Sequence, residues 1–521
     1  MGCCDRCKIE KVPNKSLIWA SLAVSFCGMV GTAYGPILNN PQTAIKQFLI
    51  DAFWKRWHHQ LSGTELDIVW GTLCAMNPLG ALFGSALIYR FCEKFGRRDT
   101  SLIVNGLVTI VGALLSYMAK PSYHFEFLLV GDFLYTHVGG FAEQLSVQPI
   151  LILCKECMGR NFIFKKITVF NIPQHICRGF AGAMPNVALT FWYMIACLLG
   201  HPYILGNPWC WEYLMIWPVI PAIAGILLAL FVPESPKYLY LTSGNTEGAV
   251  SSLRYWFPPD SDINEVLAEY DRERKYLQGQ TKPTWKAIWA DIRLKRGAVI
   301  SIMTITSLTA VGIEIVAQYS TTIFEDAGMN PAEAAWCTTF TLAPALMLAL
   351  YLLPYLDKIG RRPMIIIAMS GAALAHFILW TMLQWSVCAI AAVILITLCH
   401  FAGVGPVGRF IVAEVCPQIC RSKIAGVGWI GKWSLAVVYT VLFPILINKI
   451  GPFTFMLSLI VCLIFIAWFV KFLPETKQLP VDNLIDGFAD GKKDNGPWWQ
   501  KKPKPTETTP LISDDKPVQL I

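Results

Sequence analysis

Glu93-Lys94-Phe95-Gly96-Arg97-Arg98 follows one long apolar run, and Asp357-Lys358-Ile359-Gly360-Arg361-Arg362 follows another. The order acid, base, apolar, Gly, Arg, Arg is the same in both. A second pair keeps the order: Pro233-Glu234-Ser235-Pro236-Lys237 closes one apolar run, and Pro474-Glu475-Thr476-Lys477 closes a later one. A third pair sets Glu156 and Arg178 against Glu414 and Arg421. One such loop means little, because Gly ends helices and Arg collects at membrane faces. Three pairs in the same order point to a chain built twice from one plan.

Working outward, the chain has 521 residues, of which 55% are hydrophobic and only 15% charged. Its mean hydropathy is +0.48. A soluble domain carries roughly a quarter charged residues, so the missing charge speaks for a lipid solvent. Apolar runs recur at even spacing, each near the roughly 20 residues a helix needs to cross hydrocarbon. They predict helices near 17–37, 66–90, 101–119, 125–152, 179–200 and 212–232, then near 296–323, 333–355, 363–383, 387–412, 424–447 and 452–473. Barrel strands would alternate polar and apolar residues, whereas these runs are apolar on every face. The expected fold is an all-α polytopic membrane protein, with twelve transmembrane helices in two pseudo-symmetric six-helix bundles.

The net charge of +8 is placed, not spread. Arg97, Arg98, Arg361, Arg362, Arg421 and Lys423 fall in short loops, where positive charge marks the cytoplasmic side. The expected organisation is a cytoplasmic N-terminus at 1–16, a first bundle over 17–232, and a cytoplasmic linker of short helices at 233–294. A second bundle over 295–473 and a mostly disordered cytoplasmic tail at 474–521 complete it. Charges scattered along membrane borders make a poor nucleic-acid surface, so no nucleic-acid partner is expected. Most of the 17 cysteines lie in apolar helices, where free Cys acts as a small hydrophobe, and no disulfide framework is implied. The histidines are dispersed without metal-ligand spacing, and no loop joins a nucleophile, a base and an orienting group. Neither an enzyme nor a metal or other cofactor is expected.

The repeated loops carry their own physics. Arg forks pair with carboxylates, and each half supplies both signs at helix ends: Glu93, Arg97, Arg98, Glu156, Arg178 and Glu234 in one, Asp357, Arg361, Arg362, Glu414, Arg421 and Glu475 in the other. Such pairs can close an inner mouth and break when two bundles rock. Exposed ion pairs are worth about 0–1 kcal/mol each, which suits a gate.

These loops, with Tyr319-Ser320-Thr321-Thr322-Ile323-Phe324-Glu325, Phe410-Ile411-Val412-Ala413-Glu414, Asn39-Asn40-Pro41-Gln42 and Trp433, resemble the sugar-porter branch of the major facilitator superfamily, the group containing the facilitative glucose transporters. The likeness runs over roughly 17–490. It implies alternating access around a midplane site.

The resemblance also shows where the chain departs. Glucose transporters carry Gln-Gln-Leu-Ser-Gly-Ile-Asn on helix seven; here the stretch is Leu308-Thr309-Ala310-Val311-Gly312-Ile313-Glu314. Both glutamines are gone, and the asparagine has become Glu314. The family's helix-ten Trp is Arg409, the Asn before Trp433 is Lys432, and the helix-five Gln is Asn186. Amides suit a neutral polyol because each offers donor and acceptor; a carboxylate and two cations offer fixed charge. Ionisable groups inside a membrane are functional candidates. The expected solute-binding residues are therefore Asn186, Glu314, Gln318, Arg409, Lys432 and Trp433. The bland reading is that the three charges neutralise each other as a structural cluster, or that Lys432 snorkels. On helix four the family's Gly-Arg is Gly131-Asp132, which is expected to remove a cation from the inner network.

The segment 159–174 fits nothing in the family: it reads either as translated A/T-rich intron sequence or as a basic amphipathic cytoplasmic insert. In the tail, Glu507-Thr508-Thr509-Pro510-Leu511-Ile512 resembles an acidic dileucine signal, with Glu507, Leu511 and Ile512 as its readable residues. It implies clathrin adaptors as partners and a plasma-membrane or endosomal and lysosomal address. Cys3 and Cys4 are candidate palmitoylation sites. Two functions stand: a secondary transporter of a small polar organic solute, sugar-like or charged, and a non-transporting receptor that keeps the fold.

Overall fold

The computed structural model describes residues 26–27, 34–145, 174–256, 263–278, 283–352, 359–476 and 484. Every regular element among them is a helix. Nine helical segments among the described residues are long and apolar enough to cross a membrane, including Gly63–Ile88, Asp99–Ser122, Ile292–Asp326 and Phe453–Phe472. Phe125–Leu145 and Gln174–Leu199 lie where the fourth and fifth crossings are expected, and Tyr34–Asn39 where the first should end. Glu156, Asp357, most of 159–174, the N-terminal cysteines and the tail signal lie outside the described residues.

The helices form for the reason their sequences suggest. In hydrocarbon every backbone N–H and C=O must be bonded within its own segment. The side chains sort the other way round from a soluble protein: Ile220, Leu230, Phe231 and Ile367 are largely exposed on the outside, while Ser301, Thr304, Thr309 and Asn186 are fully buried.

The duplication is visible in the backbone. Gly96 has φ +89° and ψ 178°, and Gly360 has φ +95° and ψ 151°, a region open to glycine alone. Each glycine lies against a carboxylate from the end of its own half. A Cβ on Gly96 would fall 2.4 Å from Glu234 Oε2, and one on Gly360 would fall 2.8 Å from Glu475 Oε2. Sterics and backbone conformation thus demand glycine twice, at equivalent places.

Two features differ from the sequence expectation. The seventh crossing is broken: Ile292–Ala310 ends, Gly312 turns left-handed at φ +91°, and Ile313–Asp326 resumes. Apolarity continues through the break, so hydropathy does not register it. Second, Gln42–Trp57 is a helix that no apolar run announces. Lys46, Asp51, Lys55 and Arg56 dilute it, yet Ala44, Ile45, Phe48, Leu49 and Ala52 line one buried face. Phe48 packs on Trp211 at 5.1 Å between ring centroids, and Arg56 grips Glu126 at 2.6 Å, which seats the helix on the crossing ends.

Between the two sets of crossings lie the short helices Pro236–Leu241, Thr246–Trp256, Ile263–Gln278 and Trp285–Ala290. Val232, Leu253, Trp256 and Tyr270 form their small core.

Candidate functional site

The broken seventh crossing organises the centre of the molecule. Ending a helix leaves its last carbonyls without intrahelical partners, and in a membrane each must find one. Here each does. Ser307 O accepts from Val311 N–H and Thr309 O from Gly312 N–H. Leu308 O takes His400 Nδ1 at 3.2 Å, Ala310 O takes the Cys462 thiol at 3.1 Å, and Val311 O takes His376 Nε2 at 3.0 Å. A carbonyl only accepts, so those ring nitrogens carry the protons. A Cβ on Gly312 would fall 2.5 Å from His376 Nε2, so the turn and its support were built for glycine.

Glu314 stands in the first turn of the resumed helix, where the N-terminal end of the helix dipole favours negative charge. Its carboxylate lies 3.5 Å from Lys432 Nζ of the eleventh crossing. The Lys432 ammonium in turn sits over the Trp433 ring at 3.2 Å from its centroid. Arg409, on the tenth crossing, donates to the Asn186 side-chain oxygen Oδ1, and Asn186 Nδ2 donates to Phe401 O. Phe401 and His400 fall in Cys399–Val404, a π-helical widening of the tenth crossing. Such widenings often mark functional positions.

All six expected solute-binding residues are buried, and the structure draws them from the fifth, seventh, tenth and eleventh crossings. Gln318 lies one turn beyond Glu314. Its amide nitrogen and oxygen, and Trp433 Nε1, have no hydrogen bond among the described residues. A recess beside Asn186 and Phe401 is bounded by Val187, Ala349 and Pro406. The sequence reading passed over His400 and His376; a histidine within an otherwise apolar run was the available signal.

The expected inner gate resolves into two bracing clusters. Glu234 accepts the backbone N–H groups of Arg98 and Asp99, and Glu475 accepts those of Arg361 and Arg362. Burial pushes the Glu234 carboxyl above the usual range, and nearby Asp99 adds to it; the Ser235, Arg98 and Asp99 N–H groups pull the other way. Arg98 bonds Asp99 at 2.6 Å, and Arg361 bonds Glu414 at 2.8 Å. Arg362 reaches Val470 O, and Arg421 reaches Ala413 O and Cys416 O. Glu93 and Arg97 lie at the turn itself, and Arg178 lies on the helix Gln174–Leu199. The bonds just named run within one half, where the sequence suggested contacts between halves. Asp132 belongs to neither cluster: it lies about two helical turns from the start of Phe125–Leu145, and the next residue, Phe133, packs on Gly80, well before the Gly96 turn.

The contact between halves is instead plain on the opposite face. Asn39 Nδ2 donates to Ser320 Oγ at 2.7 Å, and its carbonyl oxygen accepts from Thr321 N–H. Thr321 Oγ1 donates to Asn40 Oδ1, Thr322 Oγ1 to Gln42 Oε1, and Gln42 Nε2 to Glu325 Oε2 at 3.0 Å. Two motifs 281 positions apart thus bridge the halves at the end away from the Gly-Arg-Arg turns.

The family model described as "Sugar (and other) transporter" matches residues 21–485. The chain is 25% identical over 510 residues to facilitated glucose transporter member 3 of solute carrier family 2 from Gallus gallus, covering 96% of this chain and 97% of that one. It is 24% identical over 490 residues to member 5 from Bos taurus, covering 91% and 92%. Its fold matches the proton:xylose symporter XylE bound to 6-bromo-6-deoxy-D-glucose, with TM-score 0.70 and 20% identity over 90% of this chain and 99% of that one. The inward-open form of XylE from E. coli gives 0.67. The chain is therefore an integral, multi-pass membrane protein of the sugar (and other) transporter family.

Proposed function

We propose that the protein is a secondary transporter that carries a small polar organic solute by alternating access. The observation that carries this reading is the set of buried, unsatisfied groups at the centre: both Gln318 amide atoms and Trp433 Nε1. Buried polar groups normally have partners, and an amide offers a donor and an acceptor, which is what solute hydroxyls need. The names of the relatives put sugar-like solutes first. Lys432 and Glu314 offset each other, while Arg409 donates to the neutral Asn186, so the site keeps one net positive charge and admits a sugar acid as well as a neutral polyol.

In this reading 1–16, 233–294 and 474–521 face the cytoplasm, the two bundles rock about the broken seventh crossing, and the Gly-Arg-Arg turns brace the inner ends. The tail signal directs the protein between the plasma membrane and endosomes. A receptor without transport gains no support from the relatives, which are named as transporters.

The test is uptake into proteoliposomes of a labelled panel of hexoses, pentoses, polyols, sugar acids and amino sugars. At least one should enter faster than into empty liposomes. Entry of none, with the protein shown to be folded and inserted, would refute the proposal.

A further inference from the structure

His201 stands just past the outer end of the fifth crossing, in a surface turn, yet its ring is fully buried. Its backbone carbonyl accepts from Ile204 N–H at 2.8 Å and Gly206 N–H at 3.0 Å, so the turn fixes where the ring points. Nδ1 accepts the Tyr203 N–H at 3.2 Å, and Nε2 meets Ala332 O at 3.3 Å. A carbonyl cannot donate and an N–H cannot accept, so both bonds require the neutral ring with its proton on Nε2. Ala332 and Trp336 belong to Pro331–Phe340 of the eighth crossing, in the other half, and the His201 and Trp336 rings pack at 4.1 Å between centroids, tilted by 34°. Beside them Asn40 Nδ2 bonds both Cys197 O and Ala335 O. The imidazole thus spans the outer seam.

We propose that His201 is a proton-released clasp: its neutral ring helps hold the two halves shut at the outer face, and protonation from that side lets them part.

A second proton must go to Nδ1, where it meets the Tyr203 N–H head-on. Burial lowers the affinity of the ring for that proton below the usual histidine value, and only the bond to Ala332 pulls the other way. Opening returns the ring to water and restores its ordinary affinity, about pH 6.5. The open state therefore binds the proton more tightly than the closed one. The clasp is intact above that ordinary value and is lost as pH falls from there through the lowered closed-state value.

The surroundings do not reverse this sign. Glu333, next to Ala332, is exposed and turned back onto Asn330 N–H as a helix cap at 3.3 Å. Lys120 and Glu212, on the neighbouring outer ends, pair with each other at 2.6 Å. Tyr203 is exposed, and Asn40, Leu205 and Gly206 are uncharged. The Trp336 face favours a cation modestly, but Nδ1, the atom a second proton needs, already accepts the Tyr203 N–H. An outer face turned toward an acidified lumen would thus be biased to open there.

Hydrogen exchange of the full-length protein in lipid nanodiscs tests this without any transported solute, so it stands or falls apart from the proposed function. Peptides over 200–206 and 331–336 are followed at about pH 7.5 and about pH 5.5, corrected for intrinsic rates. Wild type should exchange about threefold or more faster in acid. His201→Gln keeps a donor for Ala332 O and cannot titrate, so its protection should not change with pH. His201→Ala should exchange fast at both values. Equal wild-type protection at both pH values would overturn the proposal. So would acid release in His201→Gln equal to that of wild type, or full protection of His201→Ala at neutral pH.

Discussion

The Lys432 ammonium lies 3.5 Å from a Glu314 carboxylate oxygen, with both side chains almost wholly buried between the seventh and eleventh crossings. A buried ion pair adds little net stability, but removing one partner costs about 3–5 kcal/mol because the other charge stays behind. Lys432→Met should therefore lower the thermal midpoint of the purified protein markedly. Adding Glu314→Gln should recover much of the loss. A double variant no more stable than Lys432→Met would show that the two side chains are not coupled.

Gly96 and Gly360 face the same demand in the two halves. Alanine at either would add the strain of a glycine-only conformation, about 1–3 kcal/mol, and drive a methyl against Glu234 or Glu475. Each single variant should unfold at lower denaturant than wild type, by similar amounts. A neutral Gly360→Ala beside a damaging Gly96→Ala would break the equivalence of the two turns.

Glu234 gives a pH dependence of known sign. Its carboxyl is held above the ordinary range, chiefly by burial. Its contribution to stability is therefore present below the unfolded value and lost as pH rises through the raised folded value. Glu234→Gln does not ionise, so its stability relative to wild type should improve as pH rises from about 4 to about 7. Thermal unfolding across that range reads the difference; a relative stability that falls with pH would contradict the burial argument.

Arg361 bonds Glu414, which also accepts the Thr476 hydroxyl, so one carboxylate ties together the ends of the ninth, tenth and twelfth crossings. Arg361→Ala should leave membrane insertion intact and change the turnover of reconstituted protein several-fold. Unchanged turnover would remove the inner cluster from the transport cycle.

Much of this was legible in sequence. The Gly-Arg-Arg turns announced the duplication because glycine is there for conformation and arginine for membrane side, both local demands. The residues around Glu314 were legible because charge is conspicuous among apolar residues. The break at Gly312 was not, since hydropathy is blind to backbone direction, nor were His376 and His400, whose role is to satisfy carbonyls freed by that break. Gln42–Trp57 was hidden because its buried face is narrower than a membrane-spanning helix requires. The outer seam needed coordinates, because Asn39 and Ser320 say nothing about each other until the chain is folded.

That the halves part along this seam in every cycle is tested most directly by tying it shut. Cysteines at positions 39 and 320, where the native side chains meet at 2.7 Å, would be joined in proteoliposomes by a short bis-methanethiosulfonate, each thiolate displacing a sulfinate to form a cleavable disulfide. Uptake of a solute from the panel should stop when the link is complete and return when a cleavable link is cut. Uptake at the full rate with the link complete would contradict alternating access through this seam.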